Sequence, residues 1–160
     1  MKKELTIKYE QLAEKDLSEV EKTLFEEAKK SRLKAYAPYS NFLVGCAVLL
    51  ENGEIHKGNN QENAAYPSGL CAERSVLYWL GANIPEQKIK KIFVLGGLEE
   101  NPEMDRVVPP CGSCRQGIME YEVKQGQNIE IYIASLNGEK ILKVNSIKDL
   151  LPFNFDASFL

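Results

Sequence analysis

Ile129-Glu130-Ile131-Tyr132-Ile133-Ala134-Ser135-Leu136-Asn137-Gly138-Glu139-Lys140-Ile141-Leu142-Lys143-Val144 decides how the chain is built. Ile129, Ile131 and Ile133 recur at every second position, the period of a strand with one face on a core. Asn137-Gly138 is a strong hairpin signal, because both residues tolerate the positive φ that a two-residue turn requires. So short a connection can join only antiparallel strands, since a parallel pair needs a crossover of about a dozen residues or more. The segment therefore predicts a fourth strand and a fifth, Lys140 to Val144, that runs back beside it. A short final helix follows around Ile147 to Leu151.

Outward from this hairpin the chain alternates helices and strands, without internal repeats. Cys111 opens a third helix, reached from the short apolar run Ile92 to Leu95 through a loop rich in Pro, Gly and acids. Val76, Leu77, Trp79 and Leu80 mark a second helix that starts at Cys71 and ends near Gly81. Leu43 to Leu50, the turn Asn52-Gly53 and Glu54 to Gly58 predict an antiparallel pair. Asp16 and Glu19 resemble a capping pair, and Leu17, Val20, Leu24 and Ala28 carry a first helix to about Tyr36. The expected fold is a three-layer α/β/α domain, residues 1–160, with a five-stranded mixed sheet whose last strand is antiparallel. Within those bounds residues 1–15 are expected to form an N-terminal extension.

Composition limits the partners. At 160 residues, 44% hydrophobic, and a net charge of −3, the chain reads as one soluble domain. Lysines occur in isolated pairs such as Lys29-Lys30 and Lys90-Lys91, with no basic stripe for a phosphate backbone, so a small substrate is expected rather than nucleic acid. No apolar run is long enough for a membrane helix, and four cysteines in a cytoplasmic protein point to metal or catalysis rather than disulfides.

Those cysteines are divided. Cys71-Ala72-Glu73-Arg74 supplies one thiol and a carboxylate, and Pro110-Cys111-Gly112-Ser113-Cys114-Arg115-Gln116 supplies two more thiols. Three protein ligands leave a fourth tetrahedral position on Zn2+ open for water, whereas a closed structural site takes four. Taken alone, the Cys-x-x-Cys would equally suit half a structural zinc site or a redox pair; Cys71 and Glu73 favour a hydrolytic centre. Both thiol segments start helices, where unpaired N–H groups and the helix dipole favour thiolate. Three thiolates on Zn2+ carry a formal negative charge, and Arg74, on the same helical face as Cys71, is placed to offset it. Glu73 in the first turn is the candidate for proton transfer. Cys46 within the first strand and the lone His56 read as a small buried thiol and a surface side chain, Tyr78 and Trp79 as helix core, and Lys29 and Lys30 as a solvated helix face.

With these residues in place the sequence resembles the small homo-oligomeric cytidine deaminases, over roughly residues 36–155. Five segments carry the resemblance in order: Tyr36-Ala37-Pro38-Tyr39-Ser40-Asn41-Phe42, Asn60-Gln61-Glu62-Asn63-Ala64-Ala65-Tyr66, the two cysteine motifs, and Leu150-Leu151-Pro152. The two cysteine motifs are those of zinc deaminases at large. The resemblance implies Zn2+ on Cys71, Cys111 and Cys114, with Glu73 moving protons between water, N3 of cytosine and the departing ammonia. It further implies that Asn60 and Glu62 hold the ribose 3′-hydroxyl, that Phe42 packs on the base, and that backbone near Ala72 reads its carbonyl oxygen. The implied activity is deamination of cytidine and deoxycytidine in pyrimidine salvage, in a homotetramer whose pockets are shared between subunits. Polynucleotide deaminases generally have a crossover helix where this chain has Asn137-Gly138, which favours a free nucleoside. Two alternatives stand beside this reading: the same chemistry on another amino-heterocycle such as an aminonucleoside antibiotic, and a non-enzymatic module whose structural zinc would need Cys46 or His56 as fourth ligand. Phe153-Asn154-Phe155 departs from the small residues that many relatives carry after Leu-Leu-Pro, and leaves the part played by Phe155 open.

Overall fold

The structure is a computed structural model that describes residues 1–101 and 103–160. Six strands form one sheet in the order β1-β6-β5-β4-β2-β3: β1 (Glu10–Leu12), β2 (Phe42–Leu50), β3 (Ile55–Asn59), β4 (Ile89–Leu98), β5 (Glu130–Ala134) and β6 (Ile141–Val144). Three α-helices accompany them: α1 (Glu19–Arg32), α2 (Ala72–Asn83) and α3 (Gly112–Gln125). Every pairing is antiparallel except β4 with β5, which α3 connects. The sheet is mixed, as expected, and β5 and β6 form the antiparallel hairpin that Asn137-Gly138 predicts.

Six strands, not five, correct the sequence reading. The additional strand is β1, in the segment taken as an extension, which pairs Gln11 with Leu142 on β6. Three residues, two of them polar, carry no readable period; the exposed edge of β6 supplies the strand character. The first helix also starts later than its cap signals suggest. Glu21 accepts from both the backbone N–H of Ser18 (2.9 Å) and the Ser18 hydroxyl (2.8 Å), while Asp16 instead accepts from the N–H of Ala13 (2.9 Å) ahead of a 3-10 turn.

Alternation along the central strands sorts the core into two layers. Cys46, Val48 and Leu50 of β2, Ile92 and Val94 of β4, and Ile131 and Ile133 of β5 face α2 and α3. Ala47, Leu49, Phe93, Leu95, Tyr132 and Ala134 face α1, where Leu24, Phe25 and Ala28 meet them. Helices on both faces explain why these strands read as nearly continuous apolar runs. Gly45 allows the closest approach: a Cβ there would lie 2.0 Å from the carbonyl oxygen of Ala28. Ser31 and Arg32, at the end of α1, tie it to the carbonyls of Gly58 (2.8 Å) and Leu98 (2.7 Å), the far ends of β3 and β4.

Strand direction brings the sequence motifs together. β3 and β4 are both antiparallel to β2 and so run the same way. The chain leaves their C-terminal ends at one side of the sheet, and α2 and α3, which follow them, begin there. β2 begins at that side too, with Phe42 opposite Leu98 and Gly45 opposite Asn59. Open α/β sheets bind ligands outside the C-terminal ends of such strands.

Candidate metal centre and active site

Cys71 is the residue immediately before α2, and Cys111 the residue immediately before α3. Both have extended backbone, with φ −72° and −67°, so their side chains project from the helix ends, and Cys114 turns in one helical step later. The sulfurs of Cys71 and Cys111 are 3.7 Å apart and those of Cys111 and Cys114 3.4 Å apart, with all three inside 4.8 Å. Sulfurs at about 2.3 Å from one tetrahedral Zn2+ would be separated by roughly 3.8 Å, so the donor set fits this metal. Cys114 is buried, Cys71 half-buried and Cys111 exposed, an arrangement open on one side.

Arg74 lies where the helical spacing predicts, with Nη2 3.8 Å from the sulfur of Cys71. The Cys114 thiol against Cys71, together with Arg74, brings the Cys71 thiol down to about 5, and the same Cys71–Cys114 contact with burial pushes Cys114 well up. Glu73 is 3% exposed, and burial raises its carboxyl above the usual range. A carboxyl raised in this way holds a proton more readily than a solvated one, as a group that takes up and returns protons must.

Beside this cluster lies a cavity of about 660 Å³. Phe42, Asn60, Glu62, Cys71, Glu73, Arg74 and Cys111 all line it. The Asn60 amide works within the chain as well: Oδ1 accepts from the Val44 N–H (2.8 Å) and Nδ2 donates to the Phe42 carbonyl (2.9 Å). Glu62 accepts from the N–H of Tyr39 (3.0 Å) and from the N–H and hydroxyl of Ser40 (3.3 and 2.5 Å), and the hydroxyl above all lowers its carboxyl. Ala72 is fully buried and does not line the cavity; its carbonyl accepts from the Ser75 hydroxyl at 3.0 Å. Its N–H belongs to the first turn of α2, whose amides have no helical partner.

Cys46 is fully buried in β2, where burial pushes its thiol well up, and it is not part of the sulfur cluster. His56 is also apart from it, stacked on Trp79 at 5.2 Å and 3.3 Å from Glu54. Tyr78 and Trp79 correct the expectation of helix core: they are 47% and 50% exposed, and the buried face of α2 is carried by Ala72, Val76, Leu77 and Leu80, with Glu73 beside them. Lys29 and Lys30 pair with Glu26 and Glu27 on the solvated face of α1, as read. Sequence reading assigned nothing to Tyr39, Tyr66, Val108 and Pro109, which also line the cavity; Tyr39 and Tyr66 meet edge to face at 5.9 Å on its rim. For Tyr39 and Tyr66 the signal lay in the segments that carry them, Tyr36 to Phe42 and Asn60 to Tyr66; Val108 and Pro109 lie in the loop ahead of Cys111.

A family described as "Cytidine and deoxycytidylate deaminase zinc-binding region" matches residues 18–127. The chain belongs to this deaminase family. Its zinc-binding description agrees with the three clustered thiols. A cytidine deaminase of Sporosarcina psychrophila is 37% identical over 142 residues, spanning 89% of this chain and 95% of the relative. One of Halalkalibacterium halodurans is 34% identical over 134 residues, with 84% and 92% covered. The crystal structure of the Burkholderia pseudomallei cytidine deaminase superposes with a TM-score of 0.70 at 35% identity, covering 84% of this chain and 98% of that one. The family match runs from α1 to α3, with β1 ahead of it and β5 and β6 beyond it.

Proposed function

We propose that the chain hydrolyses cytidine and deoxycytidine to uridine and deoxyuridine with release of ammonia. The observation that carries this reading is the cluster of three thiols, two of which, Cys71 and Cys111, line a cavity of about 660 Å³ together with the buried Glu73, two residues from the first of them. Zn2+ held by Cys71, Cys111 and Cys114 would activate a water for attack on C4 of the ring. Glu73 takes one proton of that water and gives it to N3, then takes the second from the hydroxyl added at C4 and passes it to the amino group, so that C4=O forms as the C4–N bond breaks and ammonia leaves. Arg74 offsets the thiolate charge. Phe42 packs against the base, the first-turn N–H near Ala72 meets the base carbonyl, and Asn60 and Glu62 meet the ribose. Each atom of the Asn60 amide keeps one further donor or acceptor beyond its strand contacts, which leaves it able to do both.

The antiparallel β5–β6 pair favours a free nucleoside over a polynucleotide, and the three-sulfur cluster speaks against a closed structural site that would need Cys46 or His56. No helix among the described residues is long and apolar enough to cross a membrane. We take the chain as one catalytic domain, with residues 1–15 as an N-terminal extension whose strand β1 joins the sheet, working in the cytoplasm. A groove of about 760 Å³ between α2 and α3, lined by Tyr78, Gly81, Gly117 and Tyr121, offers a face for subunit packing, in line with a homotetramer. The test is a zinc determination and a cytidine absorbance assay on one purified sample. One zinc per chain with loss of cytidine absorbance and release of ammonia is the expected result; a zinc-loaded protein inert toward both nucleosides overturns the reading.

A further inference from the structure

Arg115 and Gln116 close the motif that supplies two of the three thiols, and the chemistry above uses neither. The half-buried guanidinium of Arg115 makes two divergent bonds: Nε donates to the carbonyl of Pro110 at 2.9 Å, and Nη1 to the carbonyl of Leu150 at 2.7 Å. Pro110 is the buried residue directly before Cys111. It ends the loop between β4 and α3, which carries no helix or strand of its own among the described residues.

Leu150, by contrast, belongs to a well-anchored turn. The buried carboxylate of Glu122, on α3, accepts from the Ser146 hydroxyl (2.5 Å) and from the N–H groups of Ile129 (2.9 Å) and Ile147 (3.1 Å). Ile147, fully buried, accepts the N–H groups of Leu150 and Leu151, both at 2.9 Å. The fixed end of the strut is therefore the turn at residues 146–151, and the free end is the loop that delivers Cys111. Cys111, the most exposed of the three thiols, is the one with least packing of its own to hold it.

We propose that Arg115 is a positioning residue for the metal centre, holding Cys111 in place by fastening the Pro110 carbonyl to the Leu150 turn. Gln116 does something separate: its Nε2 donates to the carbonyl of Phe155 at 2.9 Å and so holds only the C-terminal segment. The inference rests on the three-thiol zinc reading above.

Arg115→Lys is the informative variant. It keeps the charge and most of the stem, but an ammonium cannot span two carbonyls in a fixed fork as the guanidinium does. Zinc release to a colorimetric chelator is measured on the holoprotein, with Arg115→Met and Gln116→Ala alongside and thermal unfolding to score folding. The expected release from Arg115→Lys is about 10-fold faster than wild type, in the range for residues that orient metal ligands. Arg115→Met should be at least as fast, Gln116→Ala unchanged, and kcat of Arg115→Lys should fall while KM moves less than about twofold. If Arg115→Met does not fold, the Arg115→Lys rate decides alone. Release from Arg115→Lys at the wild-type rate overturns the proposal, as does equal acceleration by Gln116→Ala, which would trace the effect to the tail. A wild-type protein without zinc is a different failure: it removes the three-thiol reading, and the inference with it.

Discussion

At the scale of single residues, chemistry and packing divide the four cysteines. Cys71, Cys111 and Cys114 end at two helix starts, while Cys46 is sealed between β3 and β4 with no access to the cavity floor. Cys46→Ala should therefore retain one zinc per chain and the three-sulfur spectrum of a cobalt-substituted form, at a stability cost of about 1–2 kcal/mol for the lost buried volume, measured by urea unfolding. Loss of a sulfur from the cobalt spectrum would place Cys46 at the metal after all. The Asn60 amide is a less separable case. Because it completes the hydrogen bonds of Phe42 and Val44 as well as facing the cavity, Asn60→Ala should raise KM for cytidine about 10-fold and also lower the melting temperature, since two backbone groups lose their partner. The clustering of the three thiols and the place of Glu73 beside them were legible because the signal is local: residue type, spacing and a helix start. Asn60's second task was not, because the edge of β2 that it completes is eighteen and sixteen residues away in sequence.

At the scale of elements, α1 shows how much tertiary context decides. Both Asp16-to-Glu19 and Ser18-to-Glu21 have the spacing of a cap, and sequence alone does not rank them. Glu21 prevails because its carboxylate also meets Lys91 of β4 (2.7 Å) and the hydroxyl of Tyr132 of β5 (2.5 Å). Burial opposes its ionisation, but Lys91, Tyr132 and Ser18 together bring the Glu21 carboxyl down to about 2. A carboxyl depressed on folding contributes stability that is present above its unfolded value, near 4.5, and is lost as pH falls through about 2. Glu21→Gln should thus be less stable than wild type by about 1–3 kcal/mol at pH 7, with the gap closing between pH 4.5 and 2 in urea titrations; a gap independent of pH would contradict this. Gly45 is the matching backbone constraint. Gly45→Ala drives a methyl into the Ala28 carbonyl and should cost about 3 kcal/mol, because backbone on both sides has to separate. The same helix-period reasoning misjudged Tyr78 and Trp79: the stripe that α2 buries runs through Ala72, Val76, Leu77 and Leu80, and the adjacent aromatics fall outside it.

At the scale of the whole molecule, one fact of topology creates the centre. β3 and β4 run in the same direction, so the helices that follow them start side by side, and thiols forty residues apart in sequence come to 3.7 Å. The layered α/β fold and the final hairpin were readable from apolar period and turn residues. β1 was not, because its three residues take their structure from the edge of β6 alone. Removing residues 1–13 should lower stability by about 1–2 kcal/mol through the loss of that pairing and the partly exposed Glu10–Lys143 ion pair, without loss of zinc. Zinc lost on truncation would show that β1 supports the centre directly. The central claim is that three thiols hold the metal while a fourth group, Glu73, moves the protons. The most direct test is the cytidine absorbance assay of zinc-loaded Glu73→Gln. The account predicts one zinc per chain and turnover reduced at least about 100-fold; a zinc-loaded variant that deaminates cytidine at the wild-type rate would contradict it.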